Sequence, residues 1–193
     1  MNHQPEAICF DLFGTLVYIS QPTNPYLKMS QNIGFSEVEN TNLKHHALTQ
    51  NFSGLEELVK TINPNLRMNL DVYEDMVNAE VASIVCFPKT RQILQTIKNK
   101  HLKIGLISNL ATPYKKAVDN LNLDHFFDVI TFSCDCGLRK PDPKIFEQTA
   151  QKLNLNPNQI IMVGDKLKND IQGAKNANFL DGVLIDKFNF SSQ

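Results

Sequence analysis

Residues 160 to 170 read "IIMVGDKLKND". An apolar run rich in β-branched side chains ends on Gly164-Asp165, and helical periodicity begins almost at once, over roughly 167 to 178. Such a run reads as a buried strand that delivers a carboxylate to its own carboxyl end before the chain turns into a helix. The same unit recurs upstream. "LKIGLIS" (102 to 108) and "FDVITFS" (127 to 133) are strand candidates, "GVLID" (182 to 186) is another, and helical stretches lie near 113 to 121 and 143 to 153. Pro113 and Pro143 fall where two of these helices open, which suits a residue without an N–H in a first helical turn. With "AICF" at 7 to 10 the count is five strands. Strands alternating with helices predict an α/β chain: a Rossmann-like, doubly wound parallel sheet of about five strands, covered by helices on both faces.

Residues 20 to 86 break the alternation. "SGLEELVKTI" and "DVYEDMVNAEVASIV" carry helical patterning, and no convincing strand appears. This stretch holds four basic and eight acidic residues, against 15 and 12 in the remainder. It reads as a small all-helical cap inserted after the first strand, because compact domains seldom carry a connection of that length without structure of its own. The expected organisation is thus a core of residues 1 to 19 and 87 to 193, with the helical insertion at 20 to 86.

Composition narrows the function classes. The 193 residues carry a formal net charge of −1. With a pI near 6.5, there is no global field to gather nucleic acid or an anionic membrane, so neither is expected as a partner. No apolar run approaches the ~20 residues of a membrane span, and "MNHQPEA" lacks the basic-then-apolar order of a secretory signal, so a cytoplasmic protein is expected. Cys9, Cys86, Cys134 and Cys136 are too few and too irregular for a disulfide framework, and they read as reduced structural thiols. Cys134-x-Cys136 has no second pair or nearby histidine to complete four metal ligands.

In open parallel α/β sheets, ligands bind where the loops diverge at the carboxyl ends of strands. Asp11 follows the first strand, Ser108-Asn109 ends the second, Arg139-Lys140-Pro141-Asp142 precedes a helix after the third, and Asp165 ends the fourth. Four strands therefore send a carboxylate, a hydroxyl with an amide, a cation and a second carboxylate toward one edge. Asp170 follows near the start of the next helix. His45-His46, Lys115-Lys116 and Arg139 read as solvated surface groups.

"DLFGT" (11 to 15), "LISN" (106 to 109), "RKPDP" (139 to 143) and "GDKLKND" (164 to 170), in that order and each after a strand, resemble the four motifs of the haloacid dehalogenase superfamily. The resemblance covers essentially the whole chain and implies a sheet ordered fifth, fourth, first, second, third. It further implies a hydrolase acting on a small phosphorylated molecule with Mg²⁺ as cofactor. Asp11 would be the nucleophile and would form an aspartyl-phosphate, with Lys140 offsetting charge and Ser108 donating to a phosphate oxygen. Thr15, Asn109, Ser108 and Lys140 would cradle the phosphate. Asp11, the main-chain carbonyl of Phe13, Asp165 and Asp170, the last directly or through water, would hold the metal. Hard oxygen donors of this kind suit Mg²⁺.

Phe13 departs from the family's phosphatases, which carry there an Asp that protonates the leaving oxygen and then activates water. A phenylalanine can do neither, and such acid–base help is worth ~10² to 10⁴ in rate. An aromatic residue at this place is similar to the 2-haloacid dehalogenases, whose halide leaves without a proton and without a metal. That alternative stays open, as does a non-catalytic protein binding a phosphorylated ligand or a protein partner. Substrate identity and oligomeric state are not legible.

Overall fold

A computed structural model describes residues 4–185 of the chain. The chain opens with β1 (Ala7–Phe10) and, after a tight loop, β2 (Val17–Ile19). Four helices follow: α1 (Pro25–Ile33), α2 (Glu37–Thr49), α3 (Leu55–Lys60) and α4 (Asp71–Ala82). Then come β3 (Ile84–Cys86), α5 (Thr90–Asn99), β4 (Lys103–Ser108) and a 3₁₀ turn (Thr112–Lys115) that continues as α6 (Lys116–Asn120). The rest comprises β5 (Val129–Phe132), α7 (Ser133–Cys136), α8 (Pro143–Leu153), β6 (Ile160–Gly164), a π-helical segment (Leu167–Gln172), α9 (Gly173–Asn176) and β7 (Asp181–Leu184). The strand expected at 182 to 186 starts at Asp181 and ends at Leu184, and Asp186 lies outside the described residues.

Five strands form one parallel sheet in the order β5-β4-β1-β6-β7, the order anticipated above. Alternation along each strand splits the interior in two. Ala7 and Cys9 of β1, Ile107 of β4 and Met162 of β6 meet Phe146 and Leu153 of α8 and Ala174 of α9. Phe10 of β1 with Ile104 and Leu106 of β4 meets Leu94 and Ile97 of α5 and Val118 of α6 on the other face. Phe146 is among the largest fully buried side chains, and burying a side chain of that kind contributes about 1.5–3 kcal/mol. Cys9 packs against Gly105, where an added Cβ would come to 2.6 Å of its sulfur. Burial pushes the Cys9 thiol up to about 12, so it stays protonated. No described helix is long and apolar enough to cross a membrane.

The insertion corrects one expectation. Residues 20 to 86 were expected to lack strands, with helical patterning reaching Val85, but the last of the four helices stops at Ala82 and Ile84–Cys86 pairs antiparallel with Val17–Ile19. Ser20 and Phe87 donate main-chain hydrogen bonds to Ser83 and Leu16, closing a two-stranded ribbon. Two β-branched residues at the end of an amphipathic helix fit its period equally well, so only the partner strand, more than sixty residues away, decides between helix and strand. The helix expected over 167 to 178 is likewise π-helical over its first six residues. Elsewhere local chemistry acts as anticipated: Pro143 opens α8, the Asp142 carboxylate accepts from the Lys144 N–H at 3.0 Å, and left-handed Asn154 ends the helix.

Candidate active site

Asp11 continues β1 by one residue: its N–H donates to the Val163 carbonyl at 2.9 Å, so the residue is held at the carboxyl ends of the two central strands. The chain then turns sharply. The Leu12 carbonyl accepts from the N–H groups of Thr15, Leu16 and Val17, and Gly14 takes a left-handed φ of 85° that a side chain would resist. The turn leaves Asp11 buried while its carboxylate meets Lys140.

Lys140 comes from the loop before α8, 129 residues away in sequence, and is almost wholly buried. Its Nζ lies 2.7 Å from Asp11 Oδ1 and 2.7 Å from Asp170 Oδ1, and donates to the Ile107 carbonyl at 2.7 Å. Three acceptors match the three protons of an ammonium. Burial opposes the charge on Lys140, but Asp11 and Asp170 outweigh it and hold its pKa above the ordinary value. Asp11 is shifted upward, chiefly by burial; Lys140 pulls it back, and the neighbouring Asp170 charge adds to the rise.

Asp170 is positioned by its own backbone surroundings. Its Oδ2 accepts from the Lys166 N–H at 2.9 Å, and its side chain lies against Gly164, where an added Cβ would fall 2.4 Å from its carboxyl carbon. Gly164 is therefore required by contact with Asp170. Gly164→Ala is expected to push Asp170 out of the corner and to cost ~1–3 kcal/mol as overpacking, which thermal unfolding would register as a loss of about 2–4 °C per kcal/mol. An unchanged melting temperature would contradict this close contact.

Asp165 follows β6 directly, with its side chain nearly buried and its Oδ2 3.1 Å from the exposed Lys166 ammonium. Carboxylate oxygens of Asp11, Asp165 and Asp170 all lie within 4.8 Å of one another. Three hard oxygen donors so close, two of them on the one buried ammonium, fit a small divalent cation: carboxylates crowded this way repel unless positive charge sits among them.

The other anticipated residues fall around this corner in different ways. Ser108 ends β4, beside β1, and is buried. Thr15 is buried in the turn, and its hydroxyl has no hydrogen-bond partner among the described residues. Asn109 is engaged elsewhere. Its amide nitrogen donates to the Lys140 carbonyl and its amide oxygen accepts from the Lys140 N–H, both at 2.8 Å. This amide clamps the main chain that carries the buried lysine, so it acts on the corner by positioning Lys140. Phe13 is half-buried and packs edge-on against Tyr114, with ring centroids 5.9 Å apart. Arg139 is exposed, His45 and His46 meet edge-on in α2 with ring centroids 5.6 Å apart, and Lys115 pairs with Asp135 at 2.7 Å.

Sequence reading missed two features. Gly164 carried a signal, a glycine directly before the strand-end carboxylate, but its reason lies six residues on. The buried Glu80 of α4 had no local signal: it accepts from the N–H groups of Thr23 and Asn24, at 2.6 and 2.7 Å, and from the Tyr114 hydroxyl. These bonds tie the start of α1 to the 3₁₀ turn after β4.

The family model for haloacid dehalogenase-like hydrolase matches residues 5–178. The chain is 34% identical to the glyceraldehyde 3-phosphate phosphatase of Methanothermobacter thermautotrophicus over 56% of its own length, a match that spans about half (48%) of that protein. It is 29% identical to the protein of the same name from Pyrococcus furiosus, over 89% of this chain and 77% of that one. A solved HAD family enzyme from Bacteroides thetaiotaomicron, in complex with magnesium and inorganic phosphate, shares the fold with a TM-score of 0.67 at 14% identity, covering 98% of this chain and 96% of that one.

Proposed function

The chain belongs to the haloacid dehalogenase-like hydrolases, and on that premise we propose that it is a Mg²⁺-dependent phosphatase of small phosphorylated molecules, with Asp11 as nucleophile. The observation that carries this reading is the corner itself, where carboxylate oxygens of Asp11, Asp165 and Asp170 lie within 4.8 Å of one another and Asp11 and Asp170 share the buried Lys140 ammonium. The names of the two relatives, both phosphatases, support the same chemistry.

In this reading Asp11, Asp165, Asp170 and the Phe13 main-chain carbonyl would hold the metal, which when bound would supply positive charge against the phosphoryl oxygens. Asp11 attacks phosphorus in line and becomes an aspartyl-phosphate, and the departing oxygen leaves with the bond's electron pair. Lys140 keeps the Asp11 carboxylate ionised and oriented despite burial. Ser108 and Thr15 donate hydroxyl hydrogen bonds to phosphoryl oxygens, and Asn109 fixes the Lys140 main chain. Residues 20 to 86 act as the cap, joined to the core through the ribbon at 17–19 and 84–86. The four cysteines are free, which suits a reducing, cytoplasmic setting.

Phe13 favours a second reading, a C–halogen hydrolase using Asp11 without metal, but that chemistry leaves Asp165 and Asp170 without a task. One experiment separates the two. Acetyl phosphate should be hydrolysed in Mg²⁺, with loss of activity in excess chelator and recovery when Mg²⁺ is restored. Phosphate release that persists in chelator would overturn the metal-dependent reading, and metal-free halide release from 2-chloropropionate would establish the other.

A further inference from the structure

A cavity of about 580 Å³ lies beside the strand ends, with Phe13 and Asn109 in its wall. These residues are the near neighbours of Asp11 and Ser108, so the cavity is where the non-phosphate part of a substrate would extend. Its size is that of a small-molecule site. α1 and α2 contribute Tyr26, Leu43 and Leu48, Tyr114 comes from the 3₁₀ turn, and the polar side chains are few. Among the described residues no Asp, Glu or His lines it. Its phenols are poor proton donors: burial pushes both Tyr26 and Tyr114 up, and the Tyr114 hydroxyl already donates to Glu80. Lys44, its cation, is exposed to water.

Apolar walls favour an apolar guest and penalise hydroxyl groups left without partners. A wall without an acid favours a leaving oxygen that can depart unprotonated. We propose that the cavity selects an aromatic leaving group, so that the substrate class is an aryl phosphate monoester in preference to a phosphorylated polyol. This inference rests on the phosphatase reading of the Asp11 corner. As the Asp11 oxygen bonds to phosphorus, the ester P–O bond breaks and its electron pair stays on the aryl oxygen, where the ring disperses the charge. The aryloxide takes a proton from water. A second water then attacks the aspartyl-phosphate, gives its proton to solvent and releases inorganic phosphate, restoring the Asp11 carboxylate.

The test pairs binding with turnover on the full chain in Mg²⁺. Benzylphosphonate should bind at least about tenfold more tightly than 3,4-dihydroxybutylphosphonate by calorimetry, a comparison free of leaving-group reactivity. Phenyl phosphate should exceed glycerol 3-phosphate in kcat/KM. Leu48→Asp, which places a charge in the wall, should erase the binding preference, and the apolar Leu48→Met should keep it. Equal binding of the two phosphonates, or a preference for the diol, overturns the inference whether or not esters turn over. Tighter benzylphosphonate binding with no ester hydrolysed supports aromatic selection by the cavity and counts against the phosphatase reading instead.

Discussion

Asp11→Asn is expected to lower Mg²⁺-dependent phosphate release by at least ~10³-fold while leaving the protein folded, because a neutral amide is no nucleophile for phosphorus and supplies a weaker ligand to any cation. The substitution keeps the size of the side chain, so the turn at Gly14 and the Val163 hydrogen bond have no reason to move. Stability should change little. Burial is the main influence on the Asp11 carboxylate and opposes its ionisation, so loss of the charge removes a desolvation cost. Lys140 retains Asp170 at 2.7 Å and the Ile107 carbonyl at 2.7 Å. Steady-state phosphate release beside a thermal melt checks both halves. Activity within tenfold of the parent in a folded Asp11→Asn protein would remove Asp11 from the nucleophile's role.

Lys140→Met should damage both function and fold. Methionine fills much of the same space but leaves Asp11 and Asp170 facing each other in a buried site with no cation between them. Removing one partner of a buried ion pair costs about 3–5 kcal/mol, and at ~2–4 °C per kcal/mol for a chain of this size the melting temperature should fall by many degrees. The pH dependence has a definite sign. Without Lys140 the Asp11 carboxylate, already held above its ordinary pKa by burial, loses the charge that pulls it back and is pushed further up, so the folded state binds more protons than the unfolded one, and stability falls as pH rises. The deficit of Lys140→Met should therefore shrink as pH falls toward the ordinary carboxylate range. Mg²⁺ should recover part of it at neutral pH by binding only the folded form. A melting temperature equal to the parent's, insensitive to pH and Mg²⁺, would show that the ion cluster contributes nothing to stability.

Much of this architecture is written in short-range pattern. A parallel strand buried on both faces must be nearly continuous in apolar residues, so "KIGLIS" and "IIMVG" announce themselves, and Pro143 and Asp142 mark a helix start through chemistry within two residues. The ribbon of residues 17–19 and 84–86 was not legible for the opposite reason: three residues do not establish a period, and the hydrogen bonds that make them strands join positions more than sixty residues apart. Asn109 shows the same limit at the candidate site. Its place after a strand marked it as a polar group at the sheet edge, but that its amide is engaged by the Lys140 main chain depends on a loop 31 residues on.

What the sequence by itself determined was the parallel α/β core, the strand ends that carry Asp11, Ser108 and Asp165, the place of Lys140 just before a helix, and the absence of an acid at position 13. Strand period, helix capping and residue type are local properties, and they survive without coordinates. Only the tertiary structure decided that one ammonium would touch Asp11 and Asp170 together, that Gly164 makes room for Asp170, and that Phe13 would share an aromatic cavity with Tyr26 and Tyr114. Those contacts depend on distances between segments brought together by packing, and sequence spacing carries no measure of them.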